Sequence, residues 1–258
     1  MVEIPTLPDS IDNAAKNLTD KPTAAIGQTI SELWQLVLGG RISLAAEKQR
    51  LRYAQDLEEY RKTLEQKVLS IPEGKQVEPT MQISAQALVD SQYCVDTKEI
   101  RELFANLIAR SMHADYSGRV HPSFSKIAQQ LTPLEAQMLR LLYYRHNGNG
   151  IAIVNYIRRD PPKNGYTLLL ERIPTDVPDG YTPEAAARSL VLLTRMGLVD
   201  IPADAHFTDT DRYAIFEQTP IYKRFSDLAL KYGFQLDMQK CIARLTVLGR
   251  DFVSVCLD

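Results

Sequence analysis

The sequence is poor in cysteine and lacks an obvious targeting segment. Three cysteines occur among 258 residues, an odd number without a short pairing motif, which indicates reduced thiols. The first ten residues have no basic start followed by an apolar stretch, so we expect no secretory signal. Together these two absences predict a cytoplasmic protein.

Long apolar runs and an excess of charge of one sign are also missing. No apolar stretch approaches the roughly 20 residues that a membrane-spanning helix needs, so no transmembrane segment is expected. The formal net charge is −2 and neither half of the chain is basic, so no global field attracts the protein to nucleic acid. With 45% apolar and 24% charged residues, the composition is typical of a globular protein with a sizeable core.

Apolar residues recur at helical spacing through the first half of the chain. Helices are predicted over 23–39, 42–70, 83–93, about 97–116 and 123–131. The long, glycine-free helix around 42–70 places one apolar stripe along its length, formed by Tyr53, Leu57, Tyr60, Leu64, Val68 and Ile71. We therefore expect an α-helical domain over about residues 10–130.

The second half mixes helices with short strand-like segments. Thr132-Pro133-Leu134-Glu135 is a capping box with proline at the first helical position, which predicts a helix to about residue 144. Further helices are predicted over 183–196, 220–232 and from a Thr246 cap to Cys256, and strands over 198–201, 212–218 and 240–245. The run 151–157 fits a strand or a helix. This order predicts a winged-helix-like domain with a small antiparallel sheet over 131–258, and hence an α+β fold that is mostly α.

Three segments of the chain are distinctive: Ile-Arg-Glu-Leu-Phe-Ala-Asn-Leu-Ile-Ala at 100–109, Val-His-Pro-Ser-Phe at 120–124 and Leu-Thr-Pro-Leu-Glu-Ala at 131–136. They resemble the bacterial abortive-infection-alpha (Abi-alpha) family. The ending Leu245-Thr246…Gly249…Phe252 is similar to the family's terminus. The resemblance covers about residues 20–258 in order. It implies a cytoplasmic bacterial protein with a role in defence against phage, and it brings no established active site.

Arg140 and His146 form the candidate catalytic pair. Their spacing matches the Arg…His pair of helical-bundle ribonucleases in defence systems, in which the two side chains converge to protonate a leaving group and stabilise phosphorane charge. However, the apolar Leu141 follows Arg140, and His146 lies in a glycine-rich turn after the helix. A ribonuclease is therefore one alternative function.

Candidate metal ligands are found in two loops. His113, Asp115 and His121 lie within nine residues and offer two imidazoles and a carboxylate, but loop residues seldom supply the geometry that such a site needs. His121 is better explained as a cap for the helix that Pro122 begins. The acidic loop 204–211 falls between two predicted strands, where Asp and Thr are ordinary turn formers. We therefore predict neither a metal nor a cofactor.

Arg188 and Arg195 are the candidate nucleic-acid contacts. Both lie on the predicted helix 183–196, which corresponds to the recognition helix of a winged-helix module. The middle of that helix, Leu190–Leu193, directs four apolar side chains around the helix axis and leaves no wide polar face for a groove. DNA binding is therefore a second alternative.

The sequence as a whole favours a non-enzymatic protein that acts through contacts with a protein partner, of which a second copy is one possibility. This hypothesis predicts an exposed apolar patch or a sizeable self-association surface. A ribonuclease would instead bring Arg140 and His146 together in an open cleft. A DNA-binding protein would expose Arg188 and Arg195 beside other positive charges.

Overall fold

The computed structural model describes residues 31–38, 47–92, 94–145, 149–161 and 165–258. This part of the chain is mostly helical with one small antiparallel sheet, which confirms the predicted fold class. The helices are α1 (31–38), α2 (Glu47–Leu69), α3 (Met81–Ser91), α4 (Lys98–Ser111), α5 (Ala114–Ser117), α6 (Phe124–Gln129), α7 (Pro133–Tyr144), α8 (Pro183–Arg195), α9 (Asp211–Ala214), α10 (Pro220–Tyr232) and α11 (Val247–Cys256). The strands are β1 (Ile151–Arg159), β2 (Thr167–Pro174), β3 (Val199–Asp200) and β4 (Gln235–Leu245).

The described chain divides into two compact units. The first contains the described residues up to Asp96 together with Phe104–Ser125, and the second contains Thr97–Leu103 and Lys126–Asp258. The domain limits predicted from the sequence, 10–130 and 131–258, stay a prediction. Within the described ranges, no helix is both long and apolar enough to cross a membrane.

In the first unit, α2 buries the apolar stripe that the sequence predicts. Leu57, Tyr60, Leu64 and Val68 are all buried, and so is Ile71 just beyond the helix end. The opposite face of α2 carries ion pairs between residues three and four apart, including Arg61 with Glu58 and Glu65. The predicted start of this helix at 42 and most of the helix predicted over 23–39 lie outside the described residues.

Polar groups are also buried in the first unit. The hydroxyl of Tyr53 donates to the backbone carbonyl of Gln92 after α3, and the buried hydroxyls of Ser84 and Ser111 lie 3.1 Å apart, joining α3 to α4. The Tyr60 side chain is fully buried against Trp34, with ring centroids 5.2 Å apart. Its hydroxyl has no hydrogen-bond partner of regular geometry among the described residues. Burial raises the pKa of this phenol, and the nearby Ser91 hydroxyl opposes that rise.

The second unit is built on a sheet in which the described strands follow the order β2-β1-β4-β3. β1 pairs with β4 along its whole length, from Ile151 opposite Ala243 to Arg159 opposite Gln235. Residues on both faces of β1 are buried, so the run 151–157 has no polar alternation. This explains why its periodicity fits a strand and a helix equally well.

A β-bulge interrupts the pairing of β1 with β2. The register between the two strands shifts around Tyr156, and Arg172 on β2 adopts a left-handed backbone with φ of 56°. The side chain of Asn155 supports this conformation, because its Oδ1 accepts the Arg172 backbone N–H at 2.8 Å. The pairing continues on both sides of the bulge, which lies on an edge strand of the described sheet, a common position for such features.

The start of α11 is joined tightly to the turn between α8 and β3. Thr246 caps the helix by accepting the Gly249 N–H at 2.9 Å, and its own hydroxyl donates to the Gly197 carbonyl at 2.6 Å. A Cβ at Gly249 would lie only 2.0 Å from the Leu198 carbonyl oxygen. Glycine is therefore required here by the close approach of helix and backbone.

Two strand predictions need correction. The strand predicted over 212–218 is wrong, because this segment forms α9 and a 3₁₀ helix at Ile215–Gln218. Tyr213 and Phe216 are both buried in the core, and their three-residue spacing fits a helical turn rather than a strand. β3 pairs with β4, so the predicted hairpin of a wing is absent from 198–218. The winged-helix-like character of the unit stays a prediction. β2 was not predicted at all.

Candidate interaction surface

One end of the sheet exposes aromatic and apolar side chains beside arginines. At this end β1 finishes and both β2 and β4 begin, because Arg158 pairs with Thr167 and Arg159 pairs with Gln235. The last turn of α10 arrives at the same place, since two residues separate it from β4. We call this surface the sheet-end patch, and its members are Arg158, Arg159, Tyr166, Leu168, Leu230, Tyr232 and Phe234.

The amphipathic helix α10 supplies the most exposed apolar residues of the patch. Its inner face buries Ile221 and packs Phe225 against the Tyr156 ring, with centroids 5.7 Å apart. The remaining face leaves Leu230 83% and Tyr232 62% exposed. Burial of the inner face thus fixes the helix on the sheet while these two side chains project into solvent.

The end of α10 is fixed by a left-handed glycine cap. Gly233 has φ of 69°, and its N–H donates to the Ala229 carbonyl at 2.8 Å. The N–H of Phe234 donates to the same carbonyl at 3.2 Å. Such a cap terminates the helix sharply, and it turns the chain directly into β4 with the Phe234 ring at the sheet end.

Two arginines of the patch each contact an aromatic ring. The Arg158 guanidinium lies 4.9 Å from the Phe234 ring centroid, and the Arg159 guanidinium lies 5.9 Å from the Tyr166 centroid. Both distances are within the range of cation–π attraction. Tyr166 and Leu168 are themselves exposed, and they occupy the start of the hairpin's second strand.

The same arginines are paired with carboxylates. Arg158 lies 2.8 Å from Asp160, and Arg159 donates to Asp237 at 2.8 Å. The hydrogen bond from Arg159 lowers the pKa of Asp237. The patch therefore combines apolar side chains with charges of both signs instead of presenting a field of one sign.

Tyrosine, tryptophan and arginine are the residue types that dominate the energetic centres of protein interfaces, whereas leucine is under-represented there. Isolated exposed apolar residues are common on protein surfaces. Here several lie at one end of one sheet, on both of its faces: α10 packs on the face of Tyr156, whereas Leu168 pairs with Ile157 and so lies on the opposite face.

The catalytic candidate Arg140 is engaged at the C-terminus of the chain. It lies on α7, and its Nε donates to the Leu257 carbonyl at 3.1 Å. Leu257 is the C-cap of α11, so the guanidinium satisfies a carbonyl that the helix leaves unpaired. Tyr144 on the same helix donates to the Asp258 carboxylate. His146 lies outside the described residues.

The metal candidates are placed in separate local contacts within the first unit. His113 Nδ1 accepts the Asp115 backbone N–H at 3.2 Å, and Asp115 forms an ion pair with Lys75 that lowers the pKa of its carboxyl. His121 Nδ1 accepts the Ser123 N–H at 3.1 Å and so caps the start of α6. Among the described residues, no group of three His, Cys, Asp or Glu side chains is suited to hold a metal ion.

The nucleic-acid candidates lie on the outer face of α8. Arg188 and Arg195 are both exposed, with the half-exposed Leu192 between them at helical spacing. Near the end of α8 there is an open groove of about 440 Å³. Its lining residues include Thr194, Asp200, Arg244 and Arg250. Arg244 is paired with Asp200 at 2.9 Å, and Arg250 donates to the Leu245 carbonyl.

Sequence analysis missed the sheet-end patch because it missed β2. The signal was the Asn164-Gly165 pair, which separates the β-branched run of β1 from the apolar run of 166–170. A pair of this composition between two such runs favours a hairpin, here with a loop longer than two residues, because β1 ends at Arg159 and β2 begins at Thr167. With the hairpin assigned, Tyr166 and Leu168 would lie at its end.

The segments that resemble the Abi-alpha family now have structural explanations. His121 caps α6, and Phe124 is fully buried. The Thr132 N–H donates to the Glu135 carboxylate at 2.9 Å, as expected for a capping box. Thr246 and Gly249 form the junction at the start of α11 described above. These segments serve helix termini and close packing.

Comparison with known proteins gives one positive result. The family model "Abortive infection alpha" matches residues 52–256, which confirms the resemblance. Neither the curated proteins nor the solved structures contain a match. Since the match spans both units and most of the sequence, the chain belongs to the abortive infection alpha family.

Proposed function

We propose that this protein acts in abortive infection, the defence against phage for which its family is named, by binding a protein partner through the sheet-end patch. The action is non-enzymatic and takes place in the cytoplasm. Family membership supports the defence role, and the patch supports the mode of action.

The observation that carries the proposal is the exposure of Leu230 and Tyr232 beside the arginine–aromatic pairs. Fully burying one side chain of this size is worth about 1.5–3 kcal/mol. A partner that covers Leu230 and Tyr232 would gain part of this free energy from each of them. The paired Arg158 and Arg159 would form part of its polar rim.

The placement of the alternative site residues also supports contact over catalysis. The Nε of Arg140 donates a hydrogen bond to the carbonyl of Leu257 at the end of α11. The family segments serve caps and packing, as their hydrogen bonds show. DNA binding is less well supported, because in the groove near the end of α8 Arg244 is paired with Asp200 and Arg250 donates to the Leu245 carbonyl.

The proposal is tested by phage challenge of a bacterial host that produces the protein. We expect the wild-type chain to reduce plaque formation by at least one phage of a broad panel. The double variant Leu230→Ser/Tyr232→Ser should lose this protection to the level of cells without the protein. Leu69→Ser is the matched control, because Leu69 is also highly exposed, at 74%, but lies at the end of α2.

Two further variants separate the alternatives. His146→Gln should leave protection intact, whereas its loss would favour the ribonuclease. Arg188→Glu/Arg195→Glu should also protect fully, and a selective loss there would favour DNA binding. Full protection by the patch variant, or no protection by the wild type against any phage, would overturn the proposal. Circular dichroism and thermal melts must show that each variant folds.

A further inference from the structure

We infer that the partner of this protein presents an acidic surface to the outer face of α10, which is formed by Lys223, Arg224, Asp227, Leu230 and Lys231. The inference rests on the proposed function and names the chemistry of its partner. Its basis is the charge of this helix and the position of Leu230 among its cations.

The outer face of α10 carries more positive than negative charge. The charged residues of the helix are Lys223, Arg224, Asp227 and Lys231, and all four are exposed. Asp227 is the one carboxylate beside three cations. Since the whole chain has a net charge of −2, this helix has the opposite sign to the protein that carries it.

The three cations are not neutralised within the chain. None of them forms an ion pair in the part of the chain that the structure describes. The Arg224 guanidinium lies 5.1 Å from the Phe225 ring centroid, and Lys231 Nζ lies 5.3 Å from the Tyr232 centroid, contacts that leave the positive charge in place. The two arginines of β1 differ, because each is paired with a carboxylate.

Helical spacing places Leu230 among these cations. Leu230 follows Lys223 by seven residues and Asp227 by three, and residues at these separations share one face of a helix. Leu230 is 83% exposed, whereas Ile221 and Phe225 lie on the opposite face and pack in or against the core. The outer face therefore offers one apolar contact surrounded by positive charge.

An acidic protein surface is complementary to both features. Its carboxylates would attract the three unpaired cations, which speeds the encounter and sets the orientation of the complex. Burial of Leu230 against the partner would add apolar free energy. A basic surface would instead be repelled by the same cations, so the charge of α10 selects between partners.

Two other anionic partners, a lipid bilayer and a nucleic acid, fit this face less well. A helix that lies on a bilayer inserts its apolar face, but the apolar face of α10 is occupied by the sheet, where the Phe225 ring lies 5.7 Å from the Tyr156 ring. A nucleic acid needs a row of cations along its phosphates. Here Asp227 interrupts the row, four residues from both Lys223 and Lys231.

Charge reversal in the phage assay tests the inference. Lys223→Glu/Lys231→Glu should lower protection about tenfold or more, because like charges across an interface repel each other. Asp227→Lys should protect at least as well as the wild type, since it removes the repulsive carboxylate. The matched control is Arg188→Glu/Arg195→Glu, which changes the net charge of the chain equally but lies on α8 and should protect fully.

The two α10 variants move the charge in opposite directions, so a general loss of stability cannot produce the expected pair of results. Circular dichroism and thermal melts must show that each variant folds. Full protection by a folded Lys223→Glu/Lys231→Glu variant would overturn the inference. So would lost protection in a folded Asp227→Lys variant.

A photo-crosslinking residue in place of Asp227 identifies the class of the partner in infected cells. We expect a cross-linked protein, and mass spectrometry should show that the attached peptide has a net negative charge. A neutral or basic peptide, cross-linked nucleic acid, or no cross-link from a variant that still protects would overturn the inference. The purified chain should bind neither vesicles that contain phosphatidylglycerol nor a single-stranded oligothymidine. Binding to either probe that Lys223→Glu/Lys231→Glu abolishes would assign the face to a membrane or a nucleic acid instead.

Failure of this inference is distinguishable from failure of the proposed function. If Leu230→Ser/Tyr232→Ser loses protection while Lys223→Glu/Lys231→Glu protects fully, the partner is not acidic. The inference then falls and the proposed function stands. If both variants protect fully, the proposed function falls and takes the inference with it.

Discussion

Gly249→Ala should destabilise the second unit strongly, although it replaces glycine by the best helix former within a helix. The added Cβ would lie 2.0 Å from the Leu198 carbonyl oxygen and 2.9 Å from its carbon. Neither atom belongs to a flexible side chain, so α11 or the turn before β3 must move. This turn also holds Gly197, which accepts a hydrogen bond from Thr246.

The size of the effect follows from three contributions. Overpacking of this kind costs about 1–3 kcal/mol. The movement also strains the hydrogen bonds from Thr246 to Gly197 and Leu198, each worth about 1 kcal/mol. The higher helix propensity of alanine offsets about 1 kcal/mol of this destabilisation. We expect a net loss of about 2–4 kcal/mol in the free energy of unfolding, or a Tm lower by about 5–15 °C.

Urea denaturation followed by circular dichroism measures this loss directly. Gly118→Ala is the control, because Gly118 has φ of −71° and no atom within 4 Å of the position of an added Cβ. That variant should be neutral or more stable by up to about 1 kcal/mol. If Gly249→Ala unfolds within about 0.5 kcal/mol of the wild type, the close approach at Leu198 does not limit this position.

Two further predictions concern buried and titrating groups. Tyr60→Phe should raise the free energy of unfolding by up to about 1 kcal/mol, because it removes a buried hydroxyl that has no partner among the described residues. If urea denaturation instead shows that the free energy of unfolding falls by more than about 1 kcal/mol, the hydroxyl forms a hydrogen bond in the folded protein. Arg159 lowers the pKa of Asp237 in the folded protein. The ionised carboxylate therefore stabilises the fold at pH values above the pKa of an unfolded aspartate, roughly 3.9. This stabilisation is lost as pH falls through the lowered pKa of the folded state. Asp237→Asn should therefore be less stable than the wild type at pH 7, with the difference shrinking below about pH 4 in melts across pH; a constant difference would refute the assignment.

Helix termini were predictable because their signals are local. Thr132, Thr182, Thr219 and Thr246 each precede a proline or an apolar run, and all four are N-caps in the structure. A cap requires only a few consecutive residues. The buried apolar stripe of α2 was equally predictable, because the helical spacing of its apolar residues continues over many turns.

The sheet was harder to predict because its pairing joins distant parts of the chain. The pairing of β1 with β4 joins residues about 80 positions apart, and the burial of both faces of β1 erased its period-two pattern. The segment 212–218 shows the opposite error. Its apolar run resembles a strand, but Tyr213 donates to the Cys241 carbonyl at 2.8 Å and thereby reaches the sheet from a helical turn.

The sheet-end patch could not be derived from periodicity, because exposure at the end of an element depends on what packs beside it. α10 has an amphipathic pattern whether or not its last turn is covered. The pairing of Arg159 with Gln235 places the end of α10 at the end of β1, and β2 begins on the other side of β1. The sequence therefore predicted that an apolar patch should exist, while the residues that form it emerged from the fold.

The contrast between the family segments and the patch bears on function. His121, Glu135 and Gly249 each satisfy a helix end or allow close packing, so the fold itself explains their residue types. Leu230 and Tyr232 have no such explanation. Gly233 caps α10, and Ile221 and Phe225 are residues of α10 that pack in or against the core. A polar residue at either position would fold as well and expose less apolar surface to water. A partner that covers them would account for their presence at the surface, and that is the reason for proposing a binding role for the end of α10.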